Sequence, residues 1–456
     1  MTAPRIVWLR RDLRLADQPA LHAAAAEGPV IPVFVLDDDR AGSRALGGAS
    51  RWWLHGSLAA LADSLGRHRS RLILRKGDAL AEIAKIAKET GAASVHAIRH
   101  YEPWWREAET DLAGKVELVL HDGNYLAPPG SVLSGSGQPY KIYTPFYRAL
   151  LREMELGEAL PEPSLSAPQD WPASDTLDDW DLLPTRPDWA GGMRDAWQPG
   201  EAAAHARPGE FADAVAKYET ARNLPSVDGS SRLSPHLHFG EISARQVWHA
   251  LDGRRGQGVE TFRGEIGWRD YAQTVIAQCP RYPEANYRSD FDALPWRRSA
   301  SDLKAWQTGR TGYPIVDAGM RQLWATGWMH NRVRMIAASF LIKHLLIDWR
   351  EGERWFWDTL VDADYASNGV NWQWVAGSGM DANLFTRIMA PLTQSEKFDA
   401  ADYIREWVPE LAGLSDADIH DPSGLLRPHD YPDKIVGHRE ARERAMEAWR
   451  TMKSGA

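Results

Sequence analysis

The stretch "VIPVFVL", residues 30–36, carries no charge, and four of its seven residues are β-branched. A strand with one face in water alternates apolar and polar positions. A run that is apolar at every position has both faces covered, as in the interior of a parallel sheet. Working outward, four further runs of similar texture surround it: "RIVWLR" (5–10), "RLILRKG" (71–77), "SVHAIRH" (94–100) and "VELVLHD" (116–122). Between them lie helix-forming segments such as "PALHAAAAEG" (19–28) and "ALAEIAKIAKETG" (79–91). The alternation predicts an α/β domain over residues 1–130, a doubly wound five-stranded parallel sheet. No GxGxxG follows the first run. "WLRRDLRLAD" (8–17) stands there instead, so the domain is not a standard dinucleotide site.

The texture changes over residues 131–200, where Pro, Ser and Asp abound and periodicity is weak, as in "LPEPSLSAPQDWPASDTLDDWDLLPTRPDW" (160–189). This reads as an interdomain linker, with one short helix near "TPFYRALLREME" (144–155). From 201 to 456 the periodicity is helical and strand-like runs vanish, predicting a second, all-α domain. Two domains suit 456 residues, too many for one ordinary core. No signal core opens the chain and no apolar run is long enough to cross a bilayer, which points to the cytoplasm. The single cysteine, Cys279, excludes internal disulfides and cysteine-held zinc or iron–sulfur clusters, and the histidines show no metal spacing, so no metal is expected. Net charge is −9, yet residues 221–350 hold 18 Arg and Lys against 12 Asp and Glu. A basic region inside an acidic protein can make a phosphate footprint. The 22 tryptophans invite stacking platforms or an electron path.

Three stretches of the helical half share a pattern. In "FRGEIGWRDY", Glu265 and Trp268 are three apart and share a helix face. In "GWMHNRVRM", Asn331 and Met335 share a face while Arg334 looks elsewhere. In "DADYASNGVNWQW" (362–374), Trp372 and Trp374 diverge. A carboxyl, a carboxamide, a thioether and indoles on one cavity suit a planar, heteroatom-rich ligand. Gly229 to Ser234, "GSSRLS", offers hydroxyls and free N–H groups before a Pro-initiated helix, a place for an anion.

Along nearly its whole length the chain resembles the photolyase/cryptochrome family, and within it the bacterial class I and class III photolyases that act on cyclobutane pyrimidine dimers. The resemblance rests on "IVWLRRDLRLAD", "DGSSRLSPHLHFGEIS", "WRDY", "TGYPIVDAGMRQLWATGWMHNRVRM", "LLIDWREGERWF", "NGVNWQW" and "QSEKFD". It implies FAD folded inside the helical domain and reduced in the active form. Tyr218, Ser230, Ser231, Arg232, Leu233, Ser234, Glu265, Arg269, Arg334, Asp362, Asp364 and Asn368 are then the expected flavin contacts, with Arg334 pairing Asp362 and Asn368 facing the flavin N5. Trp372, Trp349 and Trp296 match the electron-transfer triad, and Glu265, Asn331, Met335, Trp268 and Trp374 the lesion pocket. Arg222, Arg387 and Gln394 match DNA-backbone contacts; Arg297 and Arg298, beside Trp296, are additions on charge. The implied reaction is light-driven: excited, reduced FAD donates an electron to a flipped-out dimer in ultraviolet-damaged DNA, the ring opens and the electron returns. The implied protein is a monomer. "HYEPWW" looks like the branch whose antenna is methenyltetrahydrofolate, with Trp104 and Trp105 packing the pterin; a deazaflavin, 8-hydroxy-5-deazaflavin, no antenna, or a purely interdomain role for these aromatics are the alternatives.

Two other activities stay open. A cryptochrome-like photoreceptor would use the same flavin without repair, usually with a long C-terminal extension, whereas this sequence stops soon after "HREARERAMEAW". A (6-4) photolyase calls for a pocket histidine; His330 is expected to point away. Three departures from the family pattern are expected to ring the substrate mouth and to put efficiency in question: "RIMAP" with Met389 and Ala390, the preceding "NLF", and Gly267 where a bulky aliphatic is usual.

Overall fold

The computed structural model describes residues 2–454. Strands β1 (Arg5–Leu9), β2 (Val30–Leu36), β3 (Ile73–Lys76), β4 (Ser94–Ile98) and β5 (Leu118–His121) form one parallel sheet in the order β3-β2-β1-β4-β5. The order reverses beside β1, the doubly wound arrangement expected from the apolar runs. All seven residues of β2 are buried, which is why that stretch reads as uniformly apolar. β5 lies at an edge and is only half-buried.

The segment after β1 explains the missing glycine motif. It clamps the sheet half onto the helical half. Arg14, fully buried, donates to the carbonyls of Gly240 and Gly123 and to Asn124. Leu13 N–H donates to the Phe239 carbonyl, and Asp17 accepts from Ser243 and Arg245. Gly240 sits at φ +66 with the Arg11 carbonyl 2.2 Å from where a Cβ would lie, so only glycine fits there. A second seam runs through residues 44–50. Gly47 presses on the backbone of Trp357 and Asp358, Gly48 N–H donates to Asp358, and Trp357 donates its indole N–H to the Ala45 carbonyl.

The connector between the halves carries the helix Tyr143–Glu153 and little other regular structure. From Glu201 onward the described residues form helices and turns with no strand. The longest helix, Gln257–Gln278, packs against Tyr365–Ala376, and Asn331–Ser339 closes against the latter. Among the described residues, no helix is long and apolar enough to cross a membrane, and no group of His, Cys, Asp and Glu could hold a metal ion.

Candidate functional site

A cavity of about 590 Å³ lies between those three helices and the loop Gly229–Leu233. That volume falls within the ~300–1,000 Å³ common to small-molecule and cofactor sites. Its lining takes in all the expected flavin contacts, and Glu265, Trp268, Asn331, Met335 and Trp374 as well. The residues grouped from helical spacing therefore meet on one cavity, including Arg334, which the spacing had turned elsewhere.

The polar groups are held in place by the fold. Arg334 grips Asp362 with two contacts, 3.1 and 2.9 Å, while its Nε donates to the Met329 carbonyl. Asp364 caps the helix Tyr365–Ala376 by accepting from the Ser367 N–H at 2.7 Å. Burial works against its ionisation, but the nearby His238, that N–H and Arg11 outweigh it and hold the carboxyl well below its usual range. His238 itself is buried on the cavity wall, with neither ring nitrogen hydrogen-bonded within the protein. Unpaired buried polar atoms of this kind suit a polar ligand. A Cβ on Gly229 would lie 2.6 Å from the Ala221 Cβ, so a side chain there would displace the loop that puts Ser230 and Ser231 on the cavity wall. With serine hydroxyls, an Arg–Asp pair, an ionised carboxylate and aromatic faces, the lining fits a dinucleotide carrying a flat ring.

Asn368 has a defined orientation. Its amide nitrogen donates to both the backbone carbonyl (3.1 Å) and the carboxylate (2.9 Å) of Glu353. Both partners are acceptors, so the NH₂ must face them, and the amide oxygen is the group left for the cavity. Glu353 is fully buried, which pushes its carboxyl up, while Arg44 and Asn368 oppose that shift.

Glu265 is ion-paired with Arg222 at 2.7 Å. Burial pushes the Glu265 carboxyl up against the pull of Arg222. Arg222, expected as a DNA contact, here holds the pocket carboxyl. Arg387 and Arg298 are exposed, and Gln394 is half-buried on the helix Pro391–Lys397. Arg297 is tied to the Leu345 carbonyl and to Asp302. His330 caps the helix Asn331–Ser339 and is not part of the cavity lining.

Trp372 lines the cavity, Trp349 is fully buried with its indole N–H on Asn286, and Trp296 is partly exposed. Gly352, three residues after Trp349, leaves room for the Trp372 ring, 2.1 Å from the place of a Cβ.

Three expectations need correction. Gly267 is buried and absent from the cavity lining: a Cβ there would meet the Tyr147 ring at 2.5 Å and the Tyr143 hydroxyl at 3.2 Å. The space of the usual aliphatic is filled from the connector helix, where Tyr143 stacks on Trp268 with centroids 3.6 Å apart and 10° between planes. Met389 and Ala390 likewise stand off the lining, Met389 packing on the core instead. Of the residues around "NLF", Leu384 is exposed and Phe385 buried, and it is Met380 and Asp381 that border the cavity.

Trp104 sets its edge against Tyr365 at 5.0 Å, and Trp105 packs on Trp8 at 5.8 Å, both along the seam between the halves. The cleft they border holds about 60 Å³. Sequence reasoning missed Tyr143, His238, Glu353 and Arg44. Only the first two had a local signal, an aromatic in the linker helix and a histidine four residues past Ser234.

Comparison with known proteins agrees with this geometry. Residues 5–164 match the family model for DNA photolyase, and residues 262–451 the model for the FAD binding domain of DNA photolyase. The chain is 48% identical to the deoxyribodipyrimidine photo-lyase of Agrobacterium fabrum, over 99% of this chain and 98% of that one. The crystal structure of a bacterial class III photolyase from Agrobacterium tumefaciens superposes with a TM-score of 0.96 at 47% identity, covering 100% of this chain and 98% of its own. A cryptochrome from Synechocystis superposes with a TM-score of 0.88 at 28% identity, covering 98% and 100%. With both halves matched and the cavity built from the motifs of the resemblance, the chain belongs to the photolyase/cryptochrome family.

Proposed function

We propose that this protein is a deoxyribodipyrimidine photo-lyase, splitting cyclobutane pyrimidine dimers in DNA under blue light, as a monomer in the cytoplasm, with FAD in the helical cavity. The single observation that carries the reading is that Glu265, Asn331, Met335, Trp268 and Trp374 line the same cavity as Asp362, Asp364, Arg334 and Asn368. Lesion-binding and flavin-binding groups then share one cavity. Bound FAD, in its reduced form, supplies the light-driven electron that opens the cyclobutane ring.

The chain's own residues receive and orient. A dimer is poorly stacked and poorly paired, so extruding it from the duplex costs least. Trp268, backed by Tyr143, gives it a flat wall that cannot swing away, and Trp374 offers a second indole. Glu265 and Asn331 hydrogen-bond the pyrimidine edges. A carboxyl already pushed up by burial is suited to hold its proton on a carbonyl oxygen of the base when negative charge develops there. Ser230, Ser231 and Ser234 hold the pyrophosphate, Arg334 and Asp362 the isoalloxazine edge. Trp372, Trp349 and Trp296 relay electrons from the surface when the flavin must be reduced. Exposed Arg387 and Arg298, with Gln394, contact phosphates and give sequence-neutral, salt-dependent affinity. A folate antenna at Trp104 and Trp105 requires the 60 Å³ cleft to widen; an absorption band added on incubation with methenyltetrahydrofolate, and lost in Trp104→Ala, would identify it.

The deciding experiment incubates the reduced protein with oligonucleotides carrying either a cyclobutane dimer or a (6-4) product under blue light. Restoration of thymines from the cyclobutane dimer alone is expected. Restoration from the (6-4) product only, or from neither with flavin bound, overturns the assignment, the latter in favour of a photoreceptor.

A further inference from the structure

Arg44 belongs to the sheet half, yet its guanidinium is buried in the helical half. One terminal nitrogen lies 2.7 and 2.8 Å from the two carboxylate oxygens of Glu353, and the other donates to the Pro283 carbonyl at 3.0 Å. The rings of Trp357 and Tyr365 flank it at 5.6 and 5.4 Å. The Gly47–Asp358 contact and the Ala45–Trp357 hydrogen bond deliver the segment to this place.

We infer that Arg44 is a positioning residue for the flavin: by holding both oxygens of the Glu353 carboxylate it fixes the carboxamide of Asn368 with its oxygen toward the cavity, and so sets the redox preference of the bound ring from the other half of the molecule. The inference rests on the flavin reading above, which puts N5 beside Asn368. Each link is on one side of a hydrogen bond. An ionised carboxylate can only accept, so it holds the Asn368 NH₂. Without Arg44, the Glu353 carboxylate loses the donor that holds both its oxygens and is free to move off the Asn368 NH₂, which leaves only the Glu353 carbonyl to orient the amide. With the amide as it stands, N5 meets an acceptor, which favours the form of the flavin that carries a proton there, the reduced one. Arg44 touches neither cofactor nor substrate, so its effect passes through Asn368.

The test is a spectroelectrochemical titration of the flavin-loaded protein, with flavin content and thermal unfolding measured alongside. Arg44→Met is expected to keep its flavin while its two-electron equilibrium moves about tenfold toward the oxidised form, ~30 mV lower. In an Asn368→Ala background the same replacement is expected to move the potential little, because the residue through which it acts is gone. If Arg44→Met does not fold, Arg44→Lys, which keeps the charge but not the two-pronged grip, reads the same shift at smaller size. Flavin-loaded variants with the parent's potential overturn the inference, and so does an equal shift with and without Asn368, which is the mark of a bare charge effect. A parent protein that takes up no flavin overturns the flavin reading instead.

Discussion

Arg222 and Glu265 face each other at the rim of the cavity with 2.7 Å between guanidinium and carboxylate, each side chain partly reached by solvent. The arginine expected on the DNA backbone and the carboxyl expected on the lesion therefore hold one another before DNA arrives. A phosphate that drew Arg222 away would leave Glu265 without its counter-charge in the place where a base must be bound.

On the proposed assignment, replacing Glu265 by Ala removes a hydrogen bond to the flipped base. Repair under blue light is expected to slow about ten- to hundredfold, the worth of ~1.5–3 kcal/mol for a charged hydrogen bond. Flavin absorbance per protein is expected to stay at the parent level, and its loss would show that Glu265 serves the cofactor instead.

The pH dependence of Arg222→Gln follows from the same pair. Burial raises the Glu265 carboxyl and Arg222 restrains it. A carboxyl raised above its unfolded value favours the fold at low pH, and that contribution is lost as pH rises through the raised value. Without Arg222 the value goes higher still. The variant is expected to match the parent near pH ~4 and to fall behind by about 1–3 kcal/mol toward pH ~8, where the carboxylate stands unpaired. Thermal scans across that range check it; a constant offset contradicts the assignment.

Trp296, partly exposed, is the outer member of the proposed relay. Trp296→Phe is expected to slow light-driven reduction of oxidised flavin by external thiol at least about tenfold, a size of one broken relay step rather than a packing change. Chemically pre-reduced variant is expected to repair dimers at the parent rate. Equal losses in both assays would place Trp296 in the fold rather than in the relay.

Gly267 gives a packing prediction. Gly267→Ala puts a methyl 2.5 Å from the Tyr147 ring. Helix propensity favours alanine by ~1 kcal/mol, but overpacking of this kind costs about 1–3 kcal/mol. Net destabilisation is expected, and Gly267→Ala with Tyr147→Ala is expected to be more stable than the sum of the single changes, as read in a double-mutant cycle by thermal unfolding.

Much of this was open to reading along the chain. The strands were visible because a both-faces-buried strand must be apolar at every position, and the cavity groups because helical spacing says which side chains share a face. Spacing does not say which way that face looks. Gly267, one residue from Trp268, was expected at the mouth and lies behind the wall, because a step of one residue turns a helix by about 100°. Arg44 and Glu353 are 309 residues apart, and no local pattern marks a partner at that distance. Nor did anything in "WLRRDLRLAD" show that its buried Arg14 would take carbonyls from both halves of the molecule.

Gly240 against the Arg11 backbone and Gly47 against Asp358 leave no gap for even one methyl group. Exchange of parts between relatives is constrained accordingly. A chimera cut within residues 154–176 of the connector would sever no helix or strand, yet it would mismatch both interlocks. A hybrid that works must bring residues 10–18 and 44–50 from the same parent as the helices they touch. The inherited unit is the joint between the halves.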